Sequence, residues 1–442
     1  EKTPQSFYLN PGFRQSNRVY VTFPALNHNF SFINSGFRLN DALTNSTQND
    51  SLILNPQTAL AKMKDLNYLN LEVTNEIFGF GFKVKKNYFS FSLSNRFQSR
   101  LTYPQDLFEL AIEGNGNELL GQRASLDGLG LNLNSYFEYA IGYNRDINEK
   151  LTIGGRVKFL SGIANITTAK SELGITTDAT SFALTIDGAS EINTSNITPF
   201  SDSTIIDYNP ISSVFNFGNS GIGIDLGASY KYSEKLNFNA SIVDLGFIKW
   251  KTNVTNFISN DVNYTFEGVN LNDALDSIDI AGNLSDTLQA VFKQTENDES
   301  YTTALRTKFY IGGKYNFTEY FNAGFLVYNE IIGQKYNVGT ALSANIQLKN
   351  WLGISLSYSL YGRSYSNVGY GLSLKGGPIQ FYAMTDNILA FITPTSVRHV
   401  HASFGMNVVI GPKKDKSDKK NKIQEIEEPS VETVDPVQTQ PK

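Results

Sequence analysis

The pattern that dominates this chain is a strict period of two. In residues 351–361 the even positions Leu352, Ile354, Leu356, Tyr358 and Leu360 are apolar, and the odd ones between them are Gly353, Ser355, Ser357 and Ser359. Residues 221–231 set Ile222, Ile224, Leu226, Ala228 and Tyr230 against Gly221, Gly223, Asp225, Gly227, Ser229 and Lys231. Residues 336–348, 88–94 and 402–410 alternate in the same way, and similar runs lie near 19–33, 68–84, 128–145, 151–160, 236–243, 305–317, 319–329, 368–375 and 378–385. Successive strand residues point to opposite faces, so each run predicts a β-strand with one apolar and one polar face. Many runs reach ten residues or more, against about 5–6 for an ordinary soluble strand.

The connections fall into two kinds. Asn144 to Leu151, Lys231 to Leu236, Lys314 to Tyr320 and Gln347 to Trp351 are short polar tips flanked by apolar residues, which are hairpin signals. The others are long: about 35–66, 101–127, 161–217 and 247–300. Short turns at one end and long loops at the other is the asymmetry of an up-and-down transmembrane barrel. The runs predict an all-β, antiparallel transmembrane β-barrel of about 14 strands, with short helices in its long loops.

Alternation alone leaves open which face is outside. Three features place the apolar row outward. The polar rows are mostly Gly, Ser and Asn, which suit a lumen, whereas a soluble exterior carries many charges. Aromatic residues gather near strand ends, at Tyr136, Phe137, Tyr139, Tyr143, Tyr230, Tyr232, Tyr310, Tyr315, Tyr320, Phe321, Trp351, Tyr358 and Tyr361, as interfacial girdles do. Finally, roughly 70 outward side chains at about 50 Å² each amount to ~3,500 Å², several times the largest apolar patch of a soluble monomer.

Composition sharpens this picture. Charged residues make up 18% and aromatics 13% of the 442 residues, so aromatics stand where a soluble protein puts charge. Cysteine is absent, which removes disulfides and thiolate chemistry. The net charge is -5, with no basic stripe for nucleic acid. No apolar run approaches 18 residues, so no transmembrane helix is expected. The first residues lack an apolar signal core, and the chain is expected to be a mature one whose signal peptide has been removed.

Three segments divide the chain. Residues 1–18, with the turn Asn10-Pro11-Gly12, are expected inside or under the barrel; 19–412 are the barrel; 413–442 are a charged tail. That tail opens with six lysines between 413 and 422, continues acidic and proline-bearing, and holds no aromatic residue, so it is expected to be disordered. It follows the last strand and is therefore placed in the periplasm. Pro104 to Leu110 predicts a short helix with Pro104 at its first position, and 272–293 carry a second helix-compatible pattern.

No P-loop, dinucleotide fingerprint or nucleophile elbow occurs, and no enzyme is expected. Arg156 and Lys158 share the polar face of one strand; Arg306, Lys308 and Lys314 share that of another; Asp225 and Lys231 share a third. These seven are the lumen-facing binding candidates, as selectivity charges or as lumen-filling ion pairs. Asp127, Asp244 and Asp386 suit either part. His399 and His401 share a face, but without Cys or a carboxylate cluster nearby they read as a polar pair rather than a metal site. No metal and no cofactor is expected.

The chain resembles a Bacteroidota family of uncharacterised outer-membrane barrels, related in style to FadL-type and PorV-type barrels. The resemblance is carried by Leu9-Asn10-Pro11, by residues 82–91 (Phe82 to Phe91), by Asp225 to Tyr232 with Asp244 to Trp250, and by Gly377 to Asn387. It implies the outer membrane and its lipid as surroundings. FadL-type barrels carry Asn-Pro-Ala near the N-terminus, part of a hatch; here the third residue is Gly12. Related barrels of the phylum serve type IX secretion and gliding motility. The resemblance therefore implies either a conduit for small hydrophobic or polar solutes, or an accessory subunit of such an assembly that meets secretion-machinery or periplasmic proteins through the tail. Asp50-Ser51-Leu52, Asp276-Ser277-Ile278 and Asp286-Thr287-Leu288 resemble the phylum's O-glycosylation signal.

Overall fold

The computed structural model describes residues 3–45, 52–116, 118–197, 214–266, 295–333, 335–349 and 351–411. The segment 272–293, the tail 413–442 and, wholly or in part, the three glycosylation-like triplets lie outside the described residues. Among the described residues, fourteen antiparallel strands close into one barrel. They are β1 (Val19–Thr22 and Asn27–Asn34), β2 (Leu66–Val84), β3 (Asn87–Pro104), β4 (Gly130–Asp146), β5 (Leu151–Thr177), β6 (Ser220–Lys231) and β7 (Leu236–Trp250). Then follow β8 (Tyr301–Ala304 and Lys308–Asn316), β9 (Phe321–Ile332), β10 (Lys335–Leu348), β11 (Leu352–Tyr361), β12 (Ser364–Gly376), β13 (Ile379–Thr385) and β14 (His399–Ile410). Each strand pairs with its chain neighbour, and β14 pairs with both halves of β1, Val19 opposite Ile410 and Ile33 opposite His399. Closure leaves the barrel wall without a free edge, a condition for backbone in lipid.

The apolar rows face outward. Leu342, Ile311 and Leu356 are 65%, 60% and 54% exposed. Between them, lumen-facing Ser355 lies opposite Asn345 and Gly371. Exposed aromatics sit near the short turns, at Tyr143, Tyr232, Phe317, Tyr320 and Trp351, and at the other end at Tyr336 and Tyr365. Four expected girdle residues are placed elsewhere. Tyr136 is buried against Leu160 and Trp250, and Phe137 lies in a cluster against which Ile197 and Val214 pack. Tyr310 and Tyr361 pack against the inward ring of Tyr328, the first tilted and the second edge-on.

The expected connection 161–217 begins as strand. β5 runs 27 residues; its first half pairs with β6 and its second half with Leu184–Ser195, which in turn pairs with Val254–Phe266. The expected loop 247–300 likewise starts as the end of β7 followed by that last strand. Period two fails here because residues 160–166 are buried on both faces, so no polar row marks the strand. β1 is broken after Thr22, where Pro24 removes a ladder donor and Ala25 takes φ 54°. The predicted helix forms over Gln105–Glu113, with Pro104 in an extended conformation as the cap rather than the first helical residue.

Candidate functional site

The N-terminal segment lies within the barrel at the short-turn end. A helical turn, Ser6–Leu9, is followed by Asn10-Pro11-Gly12. Asn10 is buried and donates through Nδ2 to the carbonyls of Ala228 (3.2 Å) and Ala240 (3.1 Å), while its Oδ1 accepts from the Gly12 amide (2.7 Å). This Asx turn places Gly12 against the backbone of Gly227 and Ala228, where a side chain would collide. On the neighbouring strand β5, where Gly154 pairs with Gly227, a Cβ at Gly154 would strike the Pro11 carbonyl. Asn144 donates to that carbonyl (2.6 Å) and to Phe13 O (3.2 Å), and Ser241 donates to Leu9 O (2.8 Å). Phe7 packs on Tyr88 and Tyr20. The Tyr8 hydroxyl donates to Glu76, and Gln5 bonds Glu76 (3.2 Å) and Asn407 (2.9 Å). The segment is thus tied to opposite sides of the wall.

Beside it, the centre of the lumen holds a network of paired charges. Arg156 reaches Asp225 (3.0 Å), Glu138 (3.2 Å) and Ser92 (3.1 Å). Lys158 reaches Asp225 (2.8 Å), Glu138 (3.6 Å) and, by a short contact, Asp244. Arg96 pairs with Glu138 (3.0 Å) and approaches Asp244 (4.0 Å). The backbone at Asp244 takes φ 61°, and its amide donates to Asp225 (2.8 Å), which turns both carboxylates toward Lys158. A second group adjoins it: Arg306 with Asn70 (2.7 Å) and Glu72 (3.1 Å), Lys308 with Glu72 (3.2 Å) and Glu330 (3.6 Å), and Tyr361 donating to Glu330 (3.0 Å). Most of these charges are buried, with Arg96, Glu72 and Lys308 partly exposed, and each basic group has an acidic partner, which is what makes charge tolerable away from water.

Of the sequence candidates, Arg156, Lys158, Asp225 and Asp244 meet in the first group, and Arg306 and Lys308 in the second. Lys231 stands apart at the short-turn rim, its ammonium on Glu234 of the same turn (2.7 Å). Lys314 lines a cavity between the N-terminal segment and strands β9 to β13. Asp127 is on the surface near Arg123 (3.6 Å). His401 approaches Asp386 (3.5 Å) and Asn29 (3.0 Å), and His399 meets Ser31 (3.3 Å). Among the described residues no group of three metal-ligating side chains gathers. Sequence reasoning missed Glu72, Glu76, Arg96, Glu138 and Glu330. Arg96 and Glu138 lie on the polar rows of β3 and β4, where parity points them inward; Glu72 and Glu76 precede a bulge at Ile77 that reverses parity within β2, so the even row there passes from inner to outer face.

The cavity has a volume of about 380 Å³; small polar residues, among them Asn322, Ser343, Asn345 and Ser355, line it together with apolar ones such as Phe325, Leu372 and Met384, with Thr3, Ser6 and Leu9 of the N-terminal segment on its other side. It exists because β9 to β13 carry Gly, Ser and Asn on their inner rows, while β2 to β8 carry the large paired charges.

No curated protein matches the sequence. Among solved structures the chain is similar to a ΔS2S3 mutant of the monoaromatic hydrocarbon channel TodX (8% identity, 93% of this chain and 95% of that one, TM-score 0.46). It is similar to the Ralstonia pickettii toluene transporter TbuX (9%, 92% and 94%, 0.42) and to a Pseudomonas aeruginosa FadL homologue (9%, 93% and 94%, 0.41). Residues 11–386 match a family of unknown function, DUF5723, and the chain belongs to that family.

Proposed function

We propose that this chain is a non-enzymatic barrel of the bacterial outer membrane, that it conducts small polar solutes, and that its N-terminal segment closes it in the state described. The observation that carries this reading is the cavity of about 380 Å³ between that segment and the Gly/Ser/Asn wall of β9 to β13. Its lining mixes the hydroxyls and amides of that wall with apolar side chains such as Phe325, Leu372 and Met384; the polar groups, which a hydrocarbon would strip of water, support a small polar solute. The apolar exterior supports lipid on the outside. The short turns and the end of β14 would then lie in the periplasm, with the tail 413–442. Liposome swelling by the intact chain and by one lacking residues 3–18 tests the reading. The shortened barrel is expected to admit small sugars that the intact chain excludes; a barrel closed to them in both forms would refute it.

The fully paired charges at the centre of the lumen favour a second reading, a closed scaffold in a type IX secretion or gliding-motility assembly. Capture of the tagged barrel from native membranes, with and without residues 413–442, separates the two. Partners lost with the tail support the scaffold, and recovery of the barrel alone counts against it.

A further inference from the structure

Three inward or mouth-lining arginines lack what the others have. Arg96, Arg156 and Arg306 each hold a carboxylate. Arg100, Arg363 and Arg398, at the long-loop end, hold none within ion-pair distance among the described residues. Arg100 is 6% exposed and lies with its guanidinium carbon 3.8 Å over the ring of Tyr68. Arg363 sits in the two-residue turn between β11 and β12, where Gly362 and Arg363 both take positive φ (59° and 64°). Such a turn is tight, and this one leans over the mouth toward β2. There Arg363 donates to Asn67 Oδ1 (3.3 Å) and Leu66 O (3.2 Å), and a Cβ at Gly362 would touch the Tyr68 hydroxyl. Arg398 donates to Ser35 O (3.0 Å), and Ser35 is bonded through its amide and hydroxyl to the Tyr68 backbone. The Arg100 guanidinium thus lies on Tyr68 itself, and those of Arg363 and Arg398 bond residues that precede Tyr68 or are hydrogen-bonded to it, from three different parts of the wall.

We propose that Arg100, Arg363 and Arg398 form an oxyanion-binding site in the long-loop mouth, and that it takes the carboxylate or phosphate group of a small hydrophilic solute. Three fixed positive charges with only neutral partners make a locally uncompensated field, and a ring face offsets the burial of one cation only in part. The nearby acids are already engaged, Asp41 by Arg38 (2.9 Å) and Glu330 by Lys308 and Tyr361. Guanidinium groups present paired donors that match a planar carboxylate or a phosphate. The cavity deeper in the lumen carries Ser and Asn side chains among its apolar ones, and its volume of about 380 Å³ suits a compact anion. Calling that ligand a transported solute rests on the conduit reading above; the binding site does not.

The experiment uses the full chain folded in detergent, with heat-modifiable gel mobility as the check on folding. Calorimetric titration with inorganic phosphate and with acetate is expected to give saturable binding. The variant Arg100→Gln/Arg363→Gln is expected to weaken it about tenfold or more, the loss of charge-assisted bonds. Arg398→Gln, which leaves the turn intact, is expected to weaken it as well. Absence of saturable binding by either anion, or equal binding by folded variants, overturns the proposal. A parallel planar-bilayer measurement under a KCl gradient, on the barrel lacking residues 3–18 with and without the arginine substitutions, keeps the two readings apart. Anion-selective current that shifts toward cations in the variants supports both. Phosphate binding without current sinks the conduit and leaves the site, and current without phosphate binding does the reverse.

Discussion

The guanidinium of Arg156 lies over the ring of Tyr8, its carbon 4.5 Å from the ring centroid. One residue belongs to the barrel's central charge network and the other to the segment that occupies the lumen. The same Tyr8 donates its hydroxyl to Glu76 across the barrel. Closing and charge pairing are therefore one structure, and loosening Tyr8 should loosen the segment. Removing a hydroxyl that serves a buried carboxylate costs about 1–3 kcal/mol. Tyr8→Phe is expected to raise open probability in planar bilayers about tenfold or more, by that shift in the closed-open equilibrium. Deletion of residues 3–18 should hold the barrel open. Unchanged openings in both would show that another element closes the lumen.

Lys158 is the cation that Asp225, Asp244 and Glu138 share. Lys158→Met leaves Asp225 and Asp244 competing for fewer positive charges while fully buried. Breaking a buried pair by removing one partner costs about 3–5 kcal/mol. Urea titration of the barrel in lipid vesicles should show a loss of that order for Lys158→Met. The double variant Lys158→Met/Asp225→Asn should regain part of it, since the stranded charge is removed too. Equal midpoints for wild type and the single variant would mean that water reaches the network.

The barrel itself was legible because each lipid-facing strand writes its two environments into alternate residues, as β11 does from Leu352 to Leu360. β5 from Leu160 to Ile166 was not legible, because protein covers both faces there and both rows are buried. The inward positions of Arg156, Lys158 and Asp225 followed from parity within single strands. Their meeting with Glu138 and Arg96 depends on register between strands, which no single run contains. Lys231 obeys the same parity yet sits at the rim, because parity fixes a face and says nothing of depth. The arginines around Tyr68 were hidden for another reason: Arg363 and Arg398 lie outside the alternating runs, in a turn and at a strand entrance.

The loop that follows β1 has its own pH-sensitive clasp. Arg38 donates to Asp41 through its backbone amide (2.7 Å), Nε (3.2 Å) and an Nη (2.9 Å). Burial opposes ionisation of Asp41, but the hydrogen bonds and charge of Arg38 outweigh it and hold the carboxyl below its usual 3.8. A carboxyl whose pKa is lower folded than unfolded stabilises the fold above the unfolded value. That contribution fades as pH falls through the folded one. Hydrogen exchange of a peptide covering residues 38–45, corrected for intrinsic rates, is expected to be constant from pH 7 to about pH 4 and to rise below it. Asp41→Asn should show the raised exchange at neutral pH. A variant as protected as wild type at pH 7 would remove the clasp from the account.

Leu356 and Ser355 are neighbours in β11 on opposite sides of the wall. Leu356 lies mid-strand on the outer face, and Ser355 lines the lumen cavity. A lysine at each position therefore meets different surroundings at nearly the same depth. On the lipid face near the bilayer midplane it costs about 2–4 kcal/mol, so Leu356→Lys should lose that much stability in vesicles. Ser355→Lys enters a polar space of about 380 Å³ and should stay within about 0.5 kcal/mol of wild type, as surface substitutions do. The comparison uses one side chain and one strand, so differences in strand propensity cancel. If Ser355→Lys is the costly change, the apolar row faces the interior, and the orientation of all fourteen strands would have to be reversed.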